Sequence, residues 1–411
     1  MPQTPQSATT VYLDQPPSCL QTCPASPNHI VIGTYLLTET KDEAKDTIQQ
    51  TKTGSLQLWQ LTAETNTLTR IQTLPLPHAV FDLHFHPTDP TLFAIATSSA
   101  SVSLFRVSLP SGGEPEIRPL WTKAVHEDPS IPALFLAWTP ASWLTAERAD
   151  GVAVTFSDGR TSVFGAPEGI SDGADAESGL VEVGCFAARE SIEVWFVAVA
   201  VLSDGEGREP VMFTGDDFGG LHTRRFLCEK EGEKGEGEEG ELLAPVVSDY
   251  NDRARHHTAG VTAILPLSVA VEGGAPVVLT GSYDESLRVY HATRRGEVLA
   301  EVGLGGGVWR LQLLRTDHGV LAAGEEWKFL VLASCMHAGT RVVKVTHTVG
   351  EATGWEIEVL AEFTEHQSMN YASDVWKPDG GYDLQGKDMS ELLCISSSFY
   401  DRRLCLWRVN V

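Results

Sequence analysis

The sequence predicts an all-β fold, a seven-bladed β-propeller closed by an N-terminal strand, and three observations predict it. The first is the stretch 279–290, Leu-Thr-Gly-Ser-Tyr-Asp-Glu-Ser-Leu-Arg-Val-Tyr. Leu279 and Thr280 end one β-run, Gly281 to Asp284 turn the chain, and Leu287, Val289 and Tyr290 open the next. Alternate residues of a strand share a face, so Leu287 and Val289 enter one core, and the Asp284 carboxylate can accept from N–H groups of its own turn. His257 stands four residues before Val261, the spacing at which a loop imidazole meets such an aspartate. His257 and Asp284 are therefore read as a structural hydrogen-bonded pair, and the whole as one WD40-type repeat. The second observation is recurrence. Asp401-Arg-Arg-Leu-Cys-Leu-Trp407 and Asp158-Gly-Arg-Thr-Ser-Val-Phe164 repeat the pattern. Looser copies lie at 54–59, 101–105, 217–226 and 335–342, the last with His337 where aspartate is expected. The third is the ends. The last unit runs out one strand short, while Thr10 to Leu13 is a short β-run ahead of the first full unit. An open ring would leave unpaired strand edges, so this run is expected to complete blade seven.

Taken in order, residues 1–8 are expected to be disordered and 9–411 to form a single propeller. Blade one holds strands at Ile30–Leu37 and Leu56–Leu61, separated by a polar segment from Thr38 to Thr53 read as a long exposed loop. Blade two runs through Phe81-Asp-Leu-His-Phe-His86, where His84 and His86 have no third ligand nearby, so no metal is assigned. Blade three spans about 132–165 and blade four 181–226, with the apolar run Val194–Val201. The run 229–241, made up only of Glu, Lys and Gly, is expected to be a disordered acidic insert. Blade five covers His256–Ala292. Blade six begins at Gly305-Gly-Gly-Val-Trp-Arg-Leu311 and carries a polar insert near Arg315–Lys328. Blade seven takes Tyr371–Trp376, Leu392–Ser398 and Leu404–Val409. Asp401 lacks a histidine at the usual spacing and is read as a turn cap.

Composition excludes several classes of function. A formal charge of −25 leaves no basic face for general nucleic-acid binding. No stretch approaches the roughly 20 apolar residues of a membrane-crossing helix. The first residues carry neither a basic nor an apolar signal region, and the seven cysteines are an odd number set mostly in strands. A reduced, cytoplasmic, monomeric protein is expected, with Cys335 a core residue. No phosphate-binding loop occurs, so no cofactor is expected.

Three stretches exceed a generic repeat: Gly-Ser-Tyr-Asp (281–284) followed by 305–311; Ser334-Cys-Met-His-Ala-Gly339; and Glu365-His-Gln-Ser-Met-Asn-Tyr-Ala-Ser-Asp374 with Ser398-Phe-Tyr-Asp401. In this order they resemble the diphthine methyltransferase-like WD40 family, diphthamide-pathway proteins regarded as methylesterases. The resemblance is tightest over 256–408. It departs where the family reads Leu-Ala, Gly and an adjoining Asp-Trp: here stand Met369-Asn370, Ala372, and Val375 between Asp374 and Trp376. It implies hydrolysis of the methyl ester of methylated diphthine, the modified histidine of translation elongation factor 2, with that factor as protein partner. A non-catalytic interaction scaffold is the competing reading, since fold alone favours it.

No Gly-x-Ser-x-Gly elbow and no His-Glu-x-x-His motif is present, so neither familiar hydrolase template applies. His337 and His366 are not explained by the repeat and suit acid–base work near neutrality, so they are the catalytic candidates. Ser368 and Cys335 are possible nucleophiles. Gly305–Gly307 could offer N–H groups to an oxyanion or simply make a tight inter-blade turn. The trimethylammonium group of diphthine cannot donate hydrogen bonds and needs aromatic faces and negative charge. Tyr283, Trp309, Arg310, Tyr371 and Asp374, with Trp376, are the substrate-binding candidates.

Overall fold

A computed structural model describes the whole chain except residues 43–46, 111, 146–148, 171–178, 204–207, 228–240, 270–273, 322–323, 351–352 and 388. Seven antiparallel sheets follow one another along the sequence, each a blade. Blade one comprises β2 (Pro17–Thr22), β3 (His29–Thr34), β5 (Thr47–Thr62) and β6 (Thr67–Leu76), extended by β4 (Leu36–Asp42). Blade two is β7 (Val80–Phe85) to β10 (Glu116–Ala124), with β8 (Leu92–Thr97) and β9 (Ser101–Ser108) between. Blades three and four begin with β11 (Ala133–Trp138) and β15 (Val194–Ser203). Blade five is β19 (Val261–Leu267), β20 (Val277–Ser282), β21 (Ser286–His291) and β22 (Glu297–Gly303). Blade six is β23 (Arg310–Leu321), β24 (Gly324–Ser334), β25 (Thr340–Gly350) and β26 (Gly354–Phe363). Blade seven joins β27 (Ala372–Val375), β28 (Glu391–Ser398) and β29 (Arg403–Asn410) to β1 (Ser7–Tyr12). Thr10 lies opposite Cys405 and Val11 opposite Leu404, so the N-terminal strand closes the ring as the sequence requires. β1 starts inside the segment 1–8, where disorder was expected, and Gln3 exchanges backbone hydrogen bonds with Leu360 and Glu362 of blade six. The acidic insert, apart from Glu241, lies outside the described residues.

The blades pack face to face. Leu287 and Val289 are fully buried, as their alternation demands, and meet Val331, Val343 and Val345 of blade six. Burial of this kind stabilises by about 1.5–3 kcal/mol per side chain. Gly281 is required by the close approach of the next blade: a Cβ there would lie 2.6 Å from Val308 Cγ1.

The expected loop of blade one and the polar insert of blade six are strands. The described residues of 38–53 are a ribbon in which β4 pairs with the first half of β5, Leu37 opposite Lys52 and Lys41 opposite Ile48. The insert 315–328 is the far end of the β23–β24 hairpin, with His318 opposite Trp327. The described residues of the first are mostly exposed on both faces, and the second is only partly covered, with Trp327 packed toward the core, so little apolar alternation marks them. Their threonines and paired backbones suffice.

The inner strands β2, β7, β11, β15, β19, β23 and β27 line a central channel, and β27 touches β2 to complete the circle. Inner strands begin, and second strands end, on the same rim, which is called the upper rim below.

Candidate functional site

An arc of aromatic rings, called the collar below, runs round most of the upper mouth of the channel. Phe81 and Trp195 are second residues of inner strands; Trp309 and Tyr371 immediately precede β23 and β27. Tyr35, Tyr283 and Phe399 immediately follow β3, β20 and β28. Ring centroids run Phe81–Tyr35 5.4 Å, Tyr35–Phe399 6.1 Å, Phe399–Tyr371 5.4 Å and Tyr371–Trp309 5.1 Å. Trp309 then meets Tyr283 at 5.9 Å and Trp195 at 5.6 Å. All seven rings are half-buried, with one part open to solvent. The Trp195 indole N–H donates to Asp217 Oδ1 at 2.6 Å, placing a carboxylate behind the collar. Burial, reinforced by the Asp217 charge, raises the Tyr283 hydroxyl pKa, and burial pushes Tyr371 up to about 12. Both stay neutral phenols at physiological pH. Neutral electron-rich ring faces backed by negative charge suit a cation without N–H donors.

Arg310 lies under the collar. Its guanidinium carbon is 4.6 Å from the Trp309 ring centroid, 4.8 Å from Phe135 and 5.5 Å from Phe196. Nη1 donates to the carbonyls of Thr262 (3.1 Å) and Trp309 (2.9 Å). Nη2 comes within 3.8 Å of Asp82 Oδ2. Burial lowers the Arg310 pKa from an ordinary value so high that the group stays a cation. Lower in the channel, His84, Gln21, Gln312, Asp374, Lys377 and Tyr382 help to line a cavity of about 460 Å³.

The structure thus brings Tyr283, Trp309, Arg310 and Tyr371 together and separates the other candidates from them. Asp374 is buried in the lower channel, accepting from Thr22 N–H (2.7 Å), Gln312 Nε2 (2.9 Å) and Lys377 Nζ (2.7 Å). Its burial would raise its pKa, but the Lys377 ammonium and these hydrogen bonds hold it below the ordinary value. It is an internal ion-pair member, not a collar carboxylate. Trp376 follows the far end of β27 and donates its indole N–H to Asn28 Oδ1 (3.1 Å).

His366 is corrected by the same geometry. Its Nε2 meets Ser396 Oγ at 2.8 Å, and Ser396 Oγ accepts the Trp407 indole N–H at 3.0 Å. Asp401, in the following turn, accepts the backbone N–H of Gln367 at 3.0 Å. Blade five repeats the arrangement: His257 Nε2 meets Thr280 Oγ1 at 2.9 Å beside Tyr290, and Asp284 accepts the N–H of Thr258 at 2.9 Å. His366 is therefore the scaffold histidine of blade seven, the partner Asp401 was thought to lack. The loop behind it is longer: His366 stands six residues before β27, His257 four before β19. The expected direct His257–Asp284 hydrogen bond is likewise replaced; Asp284 instead receives Arg288 Nη1 at 2.9 Å.

His337 stands exposed on the blade-six turn, its Nε2 3.9 Å from Glu285 Oε1. Ser368 is held by Ser398 and Asp401 and accepts the N–H of Tyr400. Cys335 is fully buried, its thiol pushed up to about 12 by burial. A Cβ on Gly306 would lie 2.4 Å from the Cys335 carbonyl oxygen, so close packing of an inter-blade turn accounts for this glycine. Asn370, one of the departures from the family pattern, is fully buried and donates to the carbonyls of Ala372 and Ser397, setting the strand entry next to Tyr371. Missed in the sequence were Trp195, Phe399, Tyr35 and Phe81. A signal for two of them exists: Gly33-Thr-Tyr35, Gly281-Ser-Tyr283 and Ser397-Ser-Phe399 repeat a small–hydroxyl–aromatic ending of the second strand.

No family model matches the chain. Over 399 residues, 97% of this chain and 96% of the relative, it is 24% identical to a protein of Schizosaccharomyces pombe named diphthine methyltransferase. A human protein of the same name is 28% identical over 121 residues, 29% of this chain and 23% of the relative. Among solved structures, Chaetomium thermophilum Sqt1 bound to the N-terminus of ribosomal protein L10 superposes with a TM-score of 0.53 at 13% identity, over 95% of this chain and 86% of Sqt1. That likeness supports the propeller fold.

Proposed function

We propose, for a chain similar along nearly its whole length to a protein named diphthine methyltransferase, that it is a methylesterase of the diphthamide pathway. Its substrate is the methyl ester of methylated diphthine on translation elongation factor 2, and its products are diphthine and methanol. The observation that carries this reading is the collar. Trimethylammonium is a fixed cation with no hydrogen to donate, and aromatic faces with a carboxylate behind them are what recognises it. The collar opens at the mouth of a channel, where a side chain projecting from a large protein can enter while its backbone stays outside. The protein works as a monomer in the cytoplasm, beside its substrate, and draws on no metal or cofactor. His337, exposed on the blade-six turn of the same rim, serves substrate docking.

The test is incubation of the purified protein with elongation factor 2 carrying methylated diphthine. Methanol release, with loss of one methyl ester from the factor by mass spectrometry, is expected. Unchanged mass in the presence of stable binding sinks the esterase reading. It would favour a scaffold, for which Phe218 (60% exposed) and Tyr400 (69% exposed), on turns that flank the collar, supply a docking surface.

A further inference from the structure

Resting on that reading, we propose that Arg310 and Asp82, just beneath the collar, form the hydrolytic centre, with His84 and Gln21 as positioning residues. Asp82 differs from most buried or half-buried aspartates of the chain, Asp217, which accepts the Trp195 indole N–H at 2.6 Å, being another without a backbone donor. Asp216, Asp252, Asp284, Asp374 and Asp401 each accept at least one backbone N–H, the ordinary work of a structural carboxylate. Asp82 is 5% exposed, yet among the described residues its polar partners are only His84 Nε2 at 3.1 Å and Arg310 Nη2 at 3.8 Å. A buried carboxylate with so few donors costs stability, which makes it a candidate for chemistry rather than for holding the fold. The 3.8 Å separation is too long for a hydrogen bond, so Arg310 is not locked to Asp82.

The rest of the cluster fixes protons. Gln21 Oε1 accepts the N–H of Phe85 at 3.0 Å, so its amide nitrogen is the end that faces His84 Nδ1 at 3.3 Å. That nitrogen is a donor, so Nδ1 is the acceptor and Nε2 carries the hydrogen given to Asp82. The carboxylate is thereby oriented toward the guanidinium. In methylated diphthine the ester and the trimethylammonium group sit on the same carbon. A cation held by Trp309 and its neighbours therefore places the ester carbonyl beside Arg310, whose guanidinium carbon is 4.6 Å from the Trp309 centroid.

The reaction balances with water alone. Water oxygen attacks the ester carbon while its proton passes to Asp82, and Arg310 donates hydrogen bonds to the oxyanion that forms. The tetrahedral intermediate collapses, the C–OCH₃ bond breaks, and the proton returns from Asp82 to the departing oxygen as methanol. The new carboxyl proton is lost to solvent, and the product carboxylate is left opposite Arg310.

The experiment measures methanol release and elongation-factor binding for wild type, Asp82→Asn, Arg310→Gln, Arg310→Lys, His84→Gln and His84→Phe, each checked for a cooperative melt. Asp82→Asn and Arg310→Gln are expected to lower kcat by about 100-fold or more while binding stays within about 3-fold. His84→Gln keeps a donor toward Asp82 and should retain far more kcat than His84→Phe, a rescue that loss of packing alone does not produce. Should Asp82→Asn fail to fold, the His84 pair and Arg310→Lys carry the test. Wild-type kcat in Asp82→Asn, or equal rates for the two His84 variants, overturns this centre and leaves the esterase reading standing. No methanol from wild type removes both.

Discussion

Replacing His366 by alanine separates a scaffold histidine from a catalytic one. In the fold the imidazole is 6% exposed, bonded through Nε2 to Ser396 Oγ and set 5.2 Å from the Phe363 ring. Its removal leaves the buried Ser396 hydroxyl short of a partner, about 1–3 kcal/mol, and opens a small cavity worth on the order of 1–2 kcal/mol. The urea midpoint near neutral pH should fall by the equivalent of about 2–4 kcal/mol, while methanol release per folded molecule stays near wild type. The pH dependence follows from burial, which lowers the His366 pKa from 6.5 to about 4. The folded state keeps the ring neutral, and the unfolded chain takes up the proton first as pH falls. Its stabilising contribution is whole above pH 6.5 and is lost as pH drops toward 4, by about 3 kcal/mol at the acid end. His366→Ala should flatten that part of the acid profile. An unchanged urea midpoint together with abolished turnover would refute the reasoning and return His366 to the reaction.

Deleting residues 1–12 removes β1 and bares the edge of β29; the truncated protein should melt well below the full chain and associate on standing, as read by light scattering. Lys377→Ala strands the Asp374 carboxylate, both side chains being 3% exposed, and should cost about 3–5 kcal/mol in denaturant titration; a cost near zero would show that the pair is solvated. Trp309→Ala removes one collar face and one wall of Arg310, and should weaken binding of the methylated substrate by about 1–2 kcal/mol, roughly 5- to 30-fold, in a direct titration.

The blade count, the closing strand and the core faces of blade five were legible because apolar alternation and turn chemistry are local signals. Leu287 and Val289 share a face by periodicity alone, and β1 was demanded by the missing strand. The ribbons of blades one and six were not legible, since strands largely uncovered by the core carry little apolar period. Among site residues, Tyr283, Trp309 and Tyr371 could be named from the family-like motifs, but their meeting is a product of ring closure. Trp195 and Trp309 are 114 residues apart in numbering and 5.6 Å apart in space. His366 was misread because fixed spacing stood in for geometry. A loop two residues longer hid its equivalence to His257, and only Ser396 and Trp407 beside it reveal the role.

Scaffold and site occupy adjacent positions in the same turns. In blade five the ring of Tyr283 precedes Asp284, whose carboxylate ties down Thr258 N–H and Arg288. In blade seven Phe399 stands two residues before Asp401, which ties down Gln367 N–H. Each aspartate joins its turn to the loop leading into its own blade's inner strand, so the turn cannot move without breaking a hydrogen bond to that loop. The aromatic beside it is consequently fixed at its ring spacing before any ligand arrives. A cage for a cation gains from this because ordering loose side chains on binding costs about 0.5–1.5 kcal/mol each. Blade six differs: its turn has His337 in place of the aspartate and its neighbouring aromatic, Trp309, comes from the inner-strand entry instead. There the ring is held from below by Arg310, stacked on Trp309 and bonded to the carbonyls of Thr262 and Trp309. On the proposed reading, the residue that replaces the missing scaffold contact is the cation that would meet the ester, so the irregular turn of blade six lies beside the proposed centre.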